Sequence, residues 1–149
     1  MIFRKATLKD LPQIVEMLAD DELGSKRERF ENPLPEVYNN AFQEIENQKG
    51  NQILVAIEND QLLGFLQLTF ISGIARMGMK RAQIEGVRVD KNHRSKGIGE
   101  KLFKEAILLS KKANCSMVQL TTDKQRKDVH RFYEKLGFET SHDGLKLFL

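Results

Sequence analysis

The sequence predicts a mixed α/β fold around one central, mostly antiparallel sheet of about seven strands, with four helices. Three observations predict it. Short strand-like runs share the chain with longer stretches whose apolar residues recur at helical spacing. Two of the short runs, Gln52 to Glu58 and Gln61 to Ser72, flank the tight turn Asn59-Asp60 and read as a hairpin. Between Arg81 and Thr121 a strand, a glycine turn, a helix and another strand follow one another, the order of a parallel βαβ crossover.

Taken in order, Ile2 to Ala6 is a short first strand. Asp10 can cap the first helix, with Pro12 in its first turn, where a missing N–H costs nothing. Gln13 could return the bond as in a capping box, and Thr7 is an earlier cap that would put Pro12 inside the helix. Leu11, Ile14, Val15 and Leu18 form its apolar face. Asp20 to Pro35 is polar and irregular and reads as a loop or a frayed helix end. A second helix runs from Pro35 to about Asn47, with Val37, Tyr38, Ala41, Phe42 and Ile45 on one side and Gly50-Asn51 as its stop. After the hairpin, in which Gly64 marks a bulge or a close backbone approach, Gly73 to Lys80 is a glycine-dotted loop. Arg81 to Asp90 is the fourth strand, read with Gln83, Glu85, Val87 and Val89 on one face and Ile84, Gly86 and Arg88 on the other. The third helix, Gly97 to Ala113, turns Ile98, Leu102, Ala106, Leu109 and Ala113 inward. Ser116 to Thr121 is the fifth strand, and Lys124 to Lys135 the last helix, with Val129, Phe132, Tyr133 and Leu136 on one face and Gly137 as its left-handed stop. Phe138 to His142 and Gly144 to Leu149 read as a closing hairpin.

Composition bounds the function classes. At 149 residues, 40% hydrophobic and 30% charged, the chain reads as one globular domain over residues 1–149. Lys and Arg total 24 against 21 Asp and Glu, a net +3, and no basic stripe carries interleaved aromatics, so nucleic acid is not an expected partner. The single cysteine, Cys115, excludes an internal disulfide and fits a reducing compartment. His93, His130 and His142 lie far apart, without ligand spacing, so no metal is expected. The N-terminus lacks a signal-peptide apolar region and no apolar run is long enough for a membrane, which gives a cytoplasmic expectation. Exposed sheet edges would allow a homodimer.

The chemistry gathers at Arg94-Ser95-Lys96-Gly97-Ile98-Gly99, between the fourth strand and the third helix. Small residues at a strand-to-helix turn let backbone N–H groups and the positive helix end form an anion site, with Arg94 and Lys96 adding charge. The dinucleotide fingerprint needs a third glycine, and the Walker loop needs Lys and Ser or Thr after the second; Glu100 follows Gly99, so neither fits. The bland reading is a solvated surface turn. Ligands of open α/β sheets lie at the carboxyl ends of parallel strands, so Val87, Arg88 and Val89 come next to this turn. A bulge at Gly86 would free N–H groups there; an unbroken ladder would not. Glu85 is either a general base in a groove or a salt-bridge partner of Arg81, Arg88 or a neighbouring lysine. Tyr133 is either a proton donor or a core residue with its hydroxyl exposed. His130, three residues earlier, is a relay, a phosphate contact or a solvated helix residue. Cys115 reads as a small buried residue and not as a nucleophile.

Two motifs then carry a resemblance. Ile84-Glu85-Gly86-Val87-Arg88-Val89 followed by Arg94-Ser95-Lys96-Gly97-Ile98-Gly99-Glu100-Lys101-Leu102 resembles the acetyl-CoA signature of the GNAT (Gcn5-related) N-acetyltransferases. Arg131-Phe132-Tyr133-Glu134-Lys135-Leu136-Gly137-Phe138 is similar to that family's closing motif, and Ile2 to Thr7 with Asp10-Leu11-Pro12 is similar to its start. The resemblance covers essentially the whole chain. It implies the acyl-CoA N-acyltransferase fold, with acetyl-CoA as cosubstrate, no metal, and direct attack by a primary amine in a ternary complex. It implies pyrophosphate on Arg94 to Glu100, the pantetheine arm along Val87 to Val89, and Tyr133 as acid toward the CoA thiolate, with Glu85 as base or water-orienter. The chain departs from the pattern at Arg126 and Val129, where many members have Asn and Ala. Asp128 or His130 would then take up the cofactor contact, or Arg126 would reach a phosphate. The acceptor site would be lined by Asp20–Pro35, helix two and the Gly73–Arg81 loop, whose charges pull in opposite directions.

Overall fold

The structure is a computed structural model and describes residues 1–126 and 129–149. Its sheet has five strands in the order of the chain: β1 (Ile2–Lys5), β2 (Asn51–Glu58), β3 (Gln61–Ile71), β4 (Arg81–Val89) and β5 (Met117–Leu120). Neighbours are antiparallel from β1 to β4, and β4 with β5 is parallel. The helices are α1 (Leu11–Ala19), α2 (Glu22–Arg27), α3 (Glu36–Asn47), α4 (Ala75–Gly78), α5 (Ile98–Lys112) and α6 (His130–Lys135). The mixed sheet and its one parallel crossover are as expected. The β2–β3 turn at Asn59 and Asp60 has φ of 51° and 59°, the left-handed pair that matches the twist of two hairpin strands.

Strand alternation divides the core between the two sheet faces. Ile53, Val55, Ile57, Leu62 and Phe65 meet Leu11, Ile14 and Val15 of α1 and Phe42 of α3. Leu54, Ala56, Leu66, Leu68, Ala82 and Ile84 meet Ile98, Leu102, Phe103 and Ala106 of α5. Phe103 is fully buried and was not among the expected inward residues; Phe132, Tyr133 and Phe138 pack edge-on around its ring at 5.5, 5.6 and 5.9 Å.

Several boundaries differ from the reading of the sequence, each for a physical reason. Thr7 opens a 3-10 turn, Leu8–Asp10, that leads into α1, so Pro12 still falls within the first turn of α1. Asp10, rather than Gln13, returns the capping bond: its carboxylate accepts from the Thr7 N–H at 2.7 Å and from Arg4 at 2.7 and 2.9 Å. The polar Asp20–Pro35 stretch contains α2, because Asp21 caps it by accepting from the Gly24 N–H. Gly24 permits the packing, since a Cβ there would lie 1.8 Å from the Leu18 carbonyl oxygen. Val37 and Ala41 are exposed, leaving Phe42 with half-buried Tyr38 and Ile45 as the inner face of α3. In α4, Arg76 and Met77 take left-handed values, so this is a single turn within the expected loop. Of the expected last helix, Lys124–Lys135, residues 127 and 128 lie outside the described residues, and α6 runs from His130 to Lys135.

The closing hairpin is absent, and this accounts for five strands where seven were expected. Residues 138–149 join no ladder; Leu145, Leu147 and Phe148 are 94%, 86% and 89% exposed. Their apolar alternation suits a strand, but a strand forms only against a partner edge.

Candidate active site

The ladder between β4 and β5 joins Arg81 through Ile84 to Met117 through Leu120 and stops there. β4 continues to Val89, so Glu85–Val89 has an edge without a strand partner on the β5 side. Within this reach lies a bulge. Gln67 pairs with Glu85 and Phe65 with Arg88, so Gly86 and Val87 together stand opposite Leu66. Gly86 has φ of 62°, a left-handed value that glycine adopts without strain.

The bulge resets the alternation of side chains and corrects the expected faces. Val87 and Val89 pack with Ile84 in the α5 core. Glu85 pairs with Gln67, which also pairs with Ile53 of the α1–α3 core, so Glu85 lies on the opposite face, exposed. Arg88 shares that face and reaches Asp21 at 3.5 Å. Glu85 has no ion pair with Arg81 or Arg88.

After β4, Asp90 accepts from the Asn92 N–H at 3.0 Å and meets His93 Nδ1 at 2.7 Å, which shapes a 3-10 turn, Lys91–His93. Ser95 and Gly97 have φ of 63° and 77°. The first bond of α5 runs from the Lys101 N–H to the Gly97 carbonyl, so the amides of Ile98, Gly99 and Glu100 have no intrahelical acceptor. Arg94, Ser95, Lys96 and Gly97 are exposed, Ile98 is buried, and Gly99 and Glu100 are half-buried. The Glu100 carboxylate is taken up by Lys104 at 2.7 Å and Lys135 at 3.6 Å, tying the first turn of α5 to α6.

Tyr133 stands on α6, half-buried among Phe103, Phe132 and Phe138. Burial pushes its phenol above the ordinary value, while Arg126 and Arg88 pull it part of the way back. Those two cations bring it within electrostatic reach of the β4 bulge. His130 is exposed at the start of α6, and Asp128 lies outside the described residues. Cys115, expected to be buried, is half-buried; burial pushes its thiol up, and Lys80 pulls it part of the way back.

Reading the sequence missed how α1 and α2 join this site. Asp20 accepts from Arg94 Nη2 at 2.7 Å and lies 3.6 Å from Lys91. Asp21 accepts from Arg126 Nη2 at 2.6 Å besides facing Arg88. Burial acts to raise the Asp21 carboxyl, but the Gly24 amide and the charges of Arg126 and Arg88 together hold it below the usual range. Arg88 keeps a buried Nε that no described residue accepts from, and burial lowers its value.

An open strand edge can pair with an extended amide chain, and an open helix start beside two cations can hold a phosphate. A model of the acetyltransferase (GNAT) family matches residues 13–138. The chain belongs to the GNAT acetyltransferase family. A solved structure described as a transcriptional regulator from Bacillus halodurans C-125 is 50% identical, over 99% of both chains, with a TM-score of 0.96. A putative acetyltransferase from Agrobacterium tumefaciens is 26% identical over the full length of both, with a TM-score of 0.81. Glucosamine-6-phosphate N-acetyltransferase from Arabidopsis thaliana, 21% identical over 99% of this chain and 97% of its own, has a TM-score of 0.79 and so shares the GNAT fold. The family uses acetyl-CoA as cosubstrate. Among the described residues no three His, Cys, Asp or Glu side chains group in a way that could hold a metal, and no helix is long and apolar enough to cross a membrane.

Proposed function

We propose that this chain is an N-acetyltransferase that moves the acetyl group of acetyl-CoA to a primary amine of a small molecule or peptide, by direct attack in a ternary complex. One observation carries this reading: the unpartnered edge of β4, Glu85–Val89, runs directly into the open amides and cations of Arg94–Gly99. The backbone of Val87, Arg88 and Val89 would pair with the pantetheine amides as an added strand would. Amides from Ser95 to Glu100, with Arg94 and Lys96, would hold the pyrophosphate. His130, at the exposed start of α6, and Asp128 complete the assigned cofactor contacts.

In the transfer, the acceptor nitrogen bonds to the acetyl carbon and the carbon–sulfur bond breaks. Tyr133, which keeps its proton because it is buried, supplies that proton to the departing sulfur. Glu85 takes the proton lost by the amine through water, from the exposed side of the bulge. A cytoplasmic location and a homodimer remain compatible with this reading.

A second reading has a specific support: the 50% identical structure is described as that of a transcriptional regulator. On that reading the chain binds acyl-CoA as a regulatory module and turns nothing over. Thiol release from acetyl-CoA, followed across a broad amine panel, separates the two. Amine-dependent release is expected here, and tight CoA binding with no release on any amine would favour the regulator.

A further inference from the structure

Asp20 and Asp21 are adjacent, and they engage the two halves of the site separately. Asp21 caps α2 and holds Arg126 and Arg88 beside Tyr133 and the bulge. Asp20 ends α1 and holds Arg94 Nη2 at 2.7 Å, with Lys91 3.6 Å away on its other oxygen. Arg94 is the first cation of the turn to which the pyrophosphate was assigned above. Its Nε is committed to the Val89 carbonyl at 3.3 Å, which leaves the end of the guanidinium for Asp20 or for a ligand.

A pyrophosphate bound at this turn would place negative charge against the Asp20 carboxylate. Like charges so close cost free energy, and one Arg94 Nη group cannot serve both at full strength. From this, and resting on the acetyl-CoA reading, we infer that Asp20 is an internal competitor for the pyrophosphate: it occupies Arg94 in the free protein, is displaced when acetyl-CoA binds, and thereby loosens the junction between α1 and α2. The junction lies on the acceptor-facing side of β4, with Arg88. Donor binding is therefore coupled to the segment that meets the acceptor. Asp20 acts as a positioning residue and touches no reacting atom.

The test uses the full chain and unacylated CoA. Asp20→Asn keeps the size of the side chain and removes its charge. An exposed ion pair of this kind contributes about 1 kcal/mol at most, so CoA should bind Asp20→Asn about twofold to fivefold more tightly by calorimetry. Asp20→Ser should show the same direction, which guards against a fold defect in one variant. The gain should vanish in an Arg94→Gln background, where nothing is left to compete for. Hydrogen exchange provides a second readout. Residues 20–28 should exchange faster in free Asp20→Asn than in free wild type, and CoA should close that difference. Equal or weaker CoA binding by both variants would overturn the inference, as would a difference in exchange that persists with CoA bound. Failure of the wild type itself to bind CoA would instead remove the acetyl-CoA reading, and this inference with it.

Discussion

Burial holds the proton on Tyr133, so the residue should act as an acid throughout the neutral range and lose that capacity only at strongly alkaline pH. Tyr133→Phe should lower kcat by about a hundredfold or more, the usual worth of a positioned acid, while the Kd for CoA stays within about twofold. Steady-state rates and calorimetry check the two halves, and full activity of the variant would remove Tyr133 from the chemistry. Glu85 is exposed on the other side of the bulge. As a base, it should make Glu85→Gln lower kcat about tenfold or more with the Kd for CoA unchanged; an unchanged kcat would leave Glu85 no part in proton transfer. The place of Tyr133 on α6, among aromatic residues, was legible in the sequence because its motif is contiguous. The side on which Glu85 stands was not, because strict alternation carries it with Val87 and only the extra residue at Gly86 separates them.

Elements in this chain are joined by a few polar contacts that decide their ends. Asp10 links β1 to the start of α1 through Arg4 and Thr7, with only 8% of its surface exposed. The Arg4 guanidinium, against the opposing cost of burial and with help from Thr7, holds the Asp10 carboxyl below its ordinary value. A depressed folded value means that this contribution is complete above about pH 4 and is lost as pH falls through the folded value. Asp10→Asn should therefore cost about 1–2 kcal/mol in urea unfolding at pH 7, and the gap from wild type should narrow at pH 3. Gly24→Ala should displace α2, because its Cβ would meet the Leu18 carbonyl at 1.8 Å, and should lower the thermal midpoint. Apolar spacing made α1, α3 and α5 legible. It could not reveal α2, a short helix held by the Asp21 cap and by ion pairs to residues as far away as Arg126.

At the scale of the whole molecule, a bound cofactor would join β4, the start of α5 and α6, and ligand binding stabilises whatever state it selects. CoA at about 100 times its Kd should add about 2.7 kcal/mol and raise the thermal midpoint by about 5–10 °C in scanning calorimetry. No rise at that concentration would contradict the cofactor assignment. By itself, the sequence determined the mixed sheet, its parallel crossover, the glycine turn before α5, the Tyr133 motif and membership of an acetyltransferase family. All of these are written along the chain: spacing marks each element and turn, the order of the elements marks the crossover, and two contiguous motifs carry the family resemblance. Tertiary structure alone decided where β5 releases β4, that the bulge puts Glu85 and Arg88 opposite Val87, that residues 138–149 join no strand ladder, and that Asp20 meets Arg94 across 74 residues. Those are meetings between distant segments. A carboxylate and a guanidinium pair wherever packing brings them within about 3 Å, and no periodicity in the sequence records that distance.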